Sequence, residues 1–212
     1  ASGNGTIKIW DANTGSCLQT LTGHTYAVKS LSYSPDGRKI VSASGDNTIK
    51  IWNAITGSCL QTLTGHTWGV LSASYSPDGR KIVSASGDYT IKIWDANTGT
   101  CLQTLTEHTD RVFSASYSPD GRKIVSASGD ETVKIWDANT GKCLQTLKGH
   151  THIVASASYS PDGRKIVSAS WDNTIKIWDA NTGKYLQTLT GHTNGVLSAS
   201  YSPDGRKIVS AS

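Results

Sequence analysis

The chain is written in a period of 42 residues. Trp10, Trp52, Trp94, Trp136 and Trp178 fall 42 apart, and the 212 residues amount to five periods plus two residues. Counted from Ala1, the units are 1–42, 43–84, 85–126, 127–168 and 169–210 of one domain, 1–212. A strict period of this length argues against an ordinary globular topology. Each unit is one supersecondary element that cannot bury its apolar face alone and must stack on its neighbours.

One unit reads as four short strands. The run 70–76, VLSASYS, is followed by the turn signal PDG, in which proline presets φ and glycine accepts a positive φ. The run 81–86, KIVSAS, ends at GDY, and the run 90–94, TIKIW, alternates β-branched residues with lysine. After DANTG comes the run 101–106, CLQTLT. No stretch carries apolar residues at helical spacing over three turns, so the predicted class is all-β.

The Gly-His pair near the start of the unit and the Trp-Asp pair closing its third strand resemble the WD40 repeat. Period, GH, SPDG, Asp turn and WD recur in register along the whole chain. The near-identity of the copies resembles recently amplified bacterial WD40 arrays, or an engineered fragment of one. The resemblance implies a β-propeller of four-stranded blades around a central channel, with five blade equivalents per chain. Three positions depart from the frame. Asn53 stands for the Asp of WD, Glu107 for the Gly of GH, and Asn4 for the turn Asp of the other units.

His66, Ser84 and Asp88 resemble a nucleophilic triad, which needs its three members in hydrogen-bond reach beside an oxyanion hole and a pocket. This set recurs in nearly every unit beside a Trp, whereas an enzyme builds one site. The WD40 resemblance implies instead a buried structural tetrad. The sets are His24, Ser42, Asp46 and Trp52; His66, Ser84, Asp88 and Trp94; His108, Ser126, Asp130 and Trp136; and His150, Ser168, Asp172 and Trp178. Ser86 competes with Ser84 for the serine place. His192 and Ser210 with Asn4 and Trp10 would form a weaker fifth set. No catalytic residue, metal site or cofactor is expected, because histidines spread around a ring do not converge. Cys17, Cys59, Cys101 and Cys143, also 42 apart, are expected to be small buried hydrophobes in a reducing compartment.

The copies differ at few places. Two residues after each His stand Tyr26, Trp68, Asp110, His152 and Asn194. Three after stand Ala27, Gly69, Arg111, Ile153 and Gly195, and five after stand Lys29, Leu71, Phe113, Ala155 and Leu197. After the turn Asp (or Asn4) come Gly5, Asn47, Tyr89, Glu131 and Asn173. The residue before it is glycine except at Trp171. In a WD40 blade the GH loop and the Asp turn share one face, the top, while SPDG and ANTG lie opposite. The variable face therefore collects Tyr26, Lys29, Trp68, Leu71, Tyr89, Asp110, Arg111, Phe113, Glu131, His152, Ile153 and Trp171. Five of the six aromatics outside the repeat frame fall there; the sixth is Tyr185. Large aromatics and arginine on loops supply binding hot spots.

The expected function is a non-enzymatic protein-interaction scaffold with a protein or peptide partner. The competing expectation is a structural repeat protein with no ligand. The net charge of +4 is spread by copying, ten of the twenty basic residues being one Arg-Lys pair repeated, so no nucleic-acid stripe forms. No apolar run reaches the ~20 residues of a membrane span and no leader pattern is present, so a cytoplasmic, membrane-free protein is expected. The chain begins with the third and fourth strands of a blade and ends with the first and second, so strand complementation is expected to close its ends. Blades shaped for a ring of about seven fill about 51° each, whereas a ring of five needs about 72°. That mismatch predicts a homo-oligomer, most simply a dimer, whose half-blades pair between copies.

Overall fold

The computed structural model describes residues 5–212. Asn4, expected in the fifth network, lies outside them. Every described regular element is a strand. β1 (Ile7–Trp10) and β2 (Cys17–Leu21) form a two-stranded sheet. Blade 1 is β3 (Val28–Tyr33), β4 (Lys39–Ser44), β5 (Ile49–Asn53) and β6 (Cys59–Leu63). Blade 2 is β7 (Val70–Tyr75), β8 (Lys81–Ser86), β9 (Ile91–Asp95) and β10 (Cys101–Leu105). Blade 3 is β11 (Val112–Tyr117), β12 (Lys123–Ser128), β13 (Val133–Asp137) and β14 (Cys143–Leu147). Blade 4 is β15 (Val154–Tyr159), β16 (Lys165–Ser170), β17 (Ile175–Asp179) and β18 (Tyr185–Leu189). β19 (Ser198–Tyr201) and β20 (Ile208–Ala211) form a second two-stranded sheet. All pairings are antiparallel, so each blade is a meander, as the β-propeller fold requires.

The turns follow from their residues. In SPDG, the Gly79 amide donates to the Ser76 carbonyl at 2.9 Å, with Gly79 at φ 70°. The Asp78 carboxylate accepts from Ser76 Oγ at 2.6 Å and from the Arg80 amide at 3.1 Å. In ANTG, Asp95 Oδ1 accepts from the amides of Asn97 and Thr98 at 2.9 and 2.8 Å. Asn53 does the same through its amide oxygen, to Ile55 and Thr56 at 2.8 and 2.9 Å. That departure from the WD pair is absorbed because only an acceptor is needed.

The core lies between blades. Val41, Ala43, Ile49, Ile51 and Leu63 of blade 1 meet Val70, Ala73, Ile82 and Trp94 of blade 2. The next two junctions repeat this packing. Central strands such as β8 are therefore covered on both faces, which explains the small, unbroken KIVSAS run. The serines of the first strands serve the same junctions. Ser30, Ser72, Ser114 and Ser156 each accept the amide of an alanine 43 residues on, at 2.9 to 3.2 Å.

The ends are open. β1–β2 packs its Ile7 and Leu21 on blade 1, and β19 packs its Ala199, with Val196 of the segment before it, on blade 4. Among the described residues no ladder joins β1 to β20, so the expected complementation is not made within the chain. Trp10 is 56% exposed and Val209 69%, whereas their counterparts Trp52 and Val41 are buried.

The cysteine expectation is corrected. Cys17, Cys59 and Cys101 are exposed and Cys143 is half-buried. Each opens the outermost strand of its sheet, at the rim, where only the inward-facing Leu of CLQTL is covered. Hydrophobic side-chain character did not decide burial there; position in the blade did.

Candidate functional site: a buried network and a variable face

Three antiparallel strands bring the network together. In blade 2 the Trp94 indole Nε1 donates to Ser84 Oγ at 2.8 Å, and Ser84 Oγ lies 2.8 Å from His66 Nε2. His66 Nδ1 donates to Asp88 Oδ2 at 2.8 Å, and the Thr67 amide donates to the same oxygen at 3.0 Å. Blades 1, 3 and 4 repeat these contacts within 0.1 Å for His–Asp and Trp–Ser. The carboxylate can only accept, so the His–Asp contact places a proton on Nδ1.

Sequence reasoning missed one member. Thr90 Oγ1 donates to Asp88 Oδ1 at 2.7 Å, and Thr48, Thr132 and Thr174 do likewise. The signal was a threonine two residues after every turn Asp, the spacing of a local side-chain turn. Ser86, the competing serine, is also buried, but it binds the loop: its Oγ donates to the Trp68 carbonyl and accepts the Asp88 amide.

The network connects atoms as a catalytic triad does, yet it cannot act as one. Ser42, Ser84, Ser126 and Ser168 are fully buried, and their oxygens already accept the indole proton. No substrate carbonyl can reach them. Burial alone would raise the Asp46 carboxyl, but donors from Thr48, Thr25 and His24 outweigh it and hold it at about 2. Asp172 is likewise held at about 2, against burial, by Thr174, His150 and Thr151. Burial lowers the His24 and His150 imidazoles, the opposing pull of their carboxylates being smaller. At the open end, His192 Nε2 contacts Ser210 Oγ at 2.8 Å and Nδ1 contacts Ser212 Oγ at 3.0 Å. Trp10 belongs to the other end of the chain and takes no part.

The variable residues emerge on the His–Asp side of the blades. Tyr26, Lys29, Trp68, Tyr89, Arg111, Glu131, His152 and Trp171 are exposed, while Leu71, Asp110, Phe113 and Ile153 are half-buried. Two local devices place them. The register of β7–β8 and β11–β12 slips between Val70 and Ser72 and between Val112 and Ser114, leaving Leu71 and Phe113 as bulged residues. A bulge re-aims one side chain without disturbing the ladder beyond it. Asn47, Tyr89, Glu131 and Asn173 hold φ between 67° and 71°, a left-handed conformation costly for any side chain but Asn or Gly.

Contacts across this face join the variable positions. The Arg111 guanidinium of blade 3 lies over the Trp68 ring of blade 2, 5.6 Å from its centroid. His152 and Trp171 of blade 4 pack with ring centroids 5.8 Å apart. Tyr26 lies over Gly45, where an added Cβ would stand 2.6 Å from its ring. Glu107 and Lys148, where the other four copies have Gly and Thr, line with Glu131 one cavity of about 430 Å³ at the edge of blade 3.

Blades that repeat every 42 residues, each locked by one buried network, define a β-propeller repeat protein. The WD domain, G-beta repeat family matches residues 15–53, 57–95, 99–137, 141–179 and 183–212, and the chain belongs to that family. Similar proteins include the nuclear distribution protein PAC1 of Arthroderma benhamiae, 57% identical over 42 residues, 20% of this chain and 9% of that protein. PAC1 of Mycosarcoma maydis is 51% identical over 37 residues, 18% of this chain and 8% of the relative. The lissencephaly-1 homolog of Heterostelium pallidum is 49% identical over 37 residues, 18% of this chain and 9% of the relative. The matched segments thus span less than a tenth of those relatives' lengths, about one blade. No helix among the described residues is long and apolar enough to cross a membrane.

Proposed function

We propose that the chain is a non-enzymatic protein-interaction scaffold whose top face binds a peptide segment of a partner. The supporting observation is where the copies differ. Five of the six aromatics outside the frame fall on one face and make contacts there, Arg111 on Trp68 and His152 on Trp171, while the SPDG turns of the opposite face are copied unchanged and its ANTG turns vary only at Ile55 and at the residues that follow, Lys142, Lys184 and Tyr185 among them. Rigid aromatics over a fixed scaffold give contact area at low entropic cost. Selection of peptides from a displayed library against the purified chain tests this. Trp68→Ala or Trp171→Ala should weaken the selected peptide by about 2 kcal/mol, roughly thirtyfold. Peptide affinity indifferent to both substitutions would leave a structural repeat protein without a top-face ligand.

A second reading concerns assembly. The open half-blades at the two ends are complementary in strand content, so we propose that this chain pairs them with a second copy. Trp10 and Val209, exposed where every counterpart within a complete blade is buried, support it.

A further inference from the structure

Each complete blade encloses an indole in a socket shared with the unit before it. In blade 2, Trp94 clusters with Ile49 and Leu63 of blade 1 and with Ile82 of its own second strand. Its Nε1 donates to Ser84 Oγ at 2.8 Å, and its ring meets His66 edge-on, centroids 6.0 Å apart. Gly65 forms one wall: a Cβ added there would stand 3.3 Å from the six-membered ring of the indole. Trp52, Trp136 and Trp178 are held by the same serine bond and the same edge-on histidine.

Three periods after the socket of Trp94, the same residue types recur as Ile175 and Leu189 of blade 4, Gly191 and His192 of the loop, and Ile208 and Ser210 of β20. They line a cavity of about 230 Å³. Among the described residues no third strand pairs with β20, and no heavy atom lies within 4 Å of an added Gly191 Cβ. Leu189, Ile208 and Ser210 are half-buried, whereas their counterparts Leu63, Ile82 and Ser84 are buried, so the cavity is reached from solvent. Its polar group is already in position. Ser210 Oγ lies 2.8 Å from His192 Nε2, the distance found between Ser84 and His66.

The four complete blades define the chemistry that this cavity takes. Ile175, Leu189 and Ile208 favour a flat apolar ring, and Ser210 Oγ offers the acceptor that receives an indole N–H elsewhere in the chain. No Lys, Arg, Asp or Glu lines the cavity, so a charged ligand has no partner there. Apolar cavities of about 150 Å³ take up benzene, and ordinary ligand pockets span about 300–1,000 Å³. The intermediate size suits one bicyclic ring.

We propose that the C-terminal half-blade is a binding site for small indole-bearing molecules, held as the chain holds its own Trp52, Trp94, Trp136 and Trp178. The site does not depend on pairing between copies. Where copies pair, Trp10 of the second copy contends for it, and an indole-bearing molecule in solution then opposes assembly.

Titration of the Trp10→Ala chain with indole, followed by methyl NMR, tests this. The substitution removes the contending side chain at a position that is 56% exposed. Indole should bind with a Kd of about 0.1–1 mM. It should shift the methyl signals of Ile175, Leu189 and Ile208 and leave those of Ile82 and Ile124, which already pack on tryptophan, in place. N-methylindole, the same ring without its donor, should bind about fivefold more weakly or worse, and Ser210→Ala should weaken indole to the same degree. The parent chain separates this site from pairing. Affinity equal to that of the variant keeps the site and counts against pairing, whereas weaker affinity in the parent supports both. Absence of saturation up to about 5 mM indole would overturn the proposal. So would shifts confined to other residues, or equal affinity for N-methylindole.

Discussion

Ser126 sits at the centre of its blade's polar economy. It accepts the Trp136 indole at 2.8 Å and lies 2.7 Å from His108 Nε2, with no water-accessible surface. Ser126→Ala removes both partnerships at once and strands two buried groups, so it should destabilise the chain by about 2–4 kcal/mol in urea unfolding. Ser30→Ala, which loses one amide contact to Ala73 at a half-buried position, should cost about 1 kcal/mol. Equal losses would mean that the network adds nothing beyond its separate bonds. The same network sets the acid response. His24 and His150 have folded pKa values below 6.5, so their contribution is present above pH 6.5 and lost as pH falls from there through the lower folded values. Asp46 and Asp172 sit at about 2 against 3.8, so theirs is present above pH 3.8 and lost between 3.8 and about 2. Unfolding free energy followed against pH should therefore decline in two stages. A single decline confined below pH 4 would show that the histidines titrate alike in both states.

At the scale of the strand and turn, the blade is a frame with two adjustable points, the bulge in its first strand and the left-handed residue after the turn Asp. Tyr89 and Glu131 occupy the second point at φ 71° and 67°, where Gly5 stands in the N-terminal half-blade. Tyr89→Gly and Glu131→Gly should each stabilise the fold by about 0.5–1 kcal/mol, measured as a raised urea midpoint with unchanged slope. Destabilisation by either would mean that its side chain contributes more to the fold than its backbone costs. The strands and turns were legible in the sequence because alternation and turn chemistry are local. The choice between Ser84 and Ser86 was not, since residues two apart share a face and only pairing with β9 tells them apart. That pairing sets Ser84 opposite Lys92, beside Trp94. The bulges that aim Leu71 and Phe113 were equally hidden, because a one-residue slip depends on the partner strand. The cysteines misled because side-chain type argued for burial, while the rim position of CLQTL leaves three of them exposed and Cys143 only partly buried against the core between blades 2 and 3.

For the whole molecule the question is what covers the two end faces. In blade 1 the pairing Ile40↔Trp52, Val41↔Ile51, Ser42↔Lys50 and Ala43↔Ile49 joins the second strand to the third. The same register between copies, in the proposed pair, would set Ile208 opposite Trp10, Val209 opposite Ile9, Ser210 opposite Lys8 and Ala211 opposite Ile7. It would bring the Trp10 indole to Ser210, which already contacts His192 at 2.8 Å. A two-fold pair would satisfy both ends at once, because each copy would donate one half-blade and receive the other. Light scattering at micromolar concentration should then give about 45 kDa, twice the 22.5 kDa of one chain. Val209→Lys places a charge where the counterpart Val41 is buried, and should return the mass to that of one chain with blades 1 to 4 intact. Trp10 leaves water on pairing, so tryptophan emission of the parent should shift to shorter wavelength as concentration rises, and that of the variant should not. A clean single-chain mass for the parent chain would refute pairing between copies.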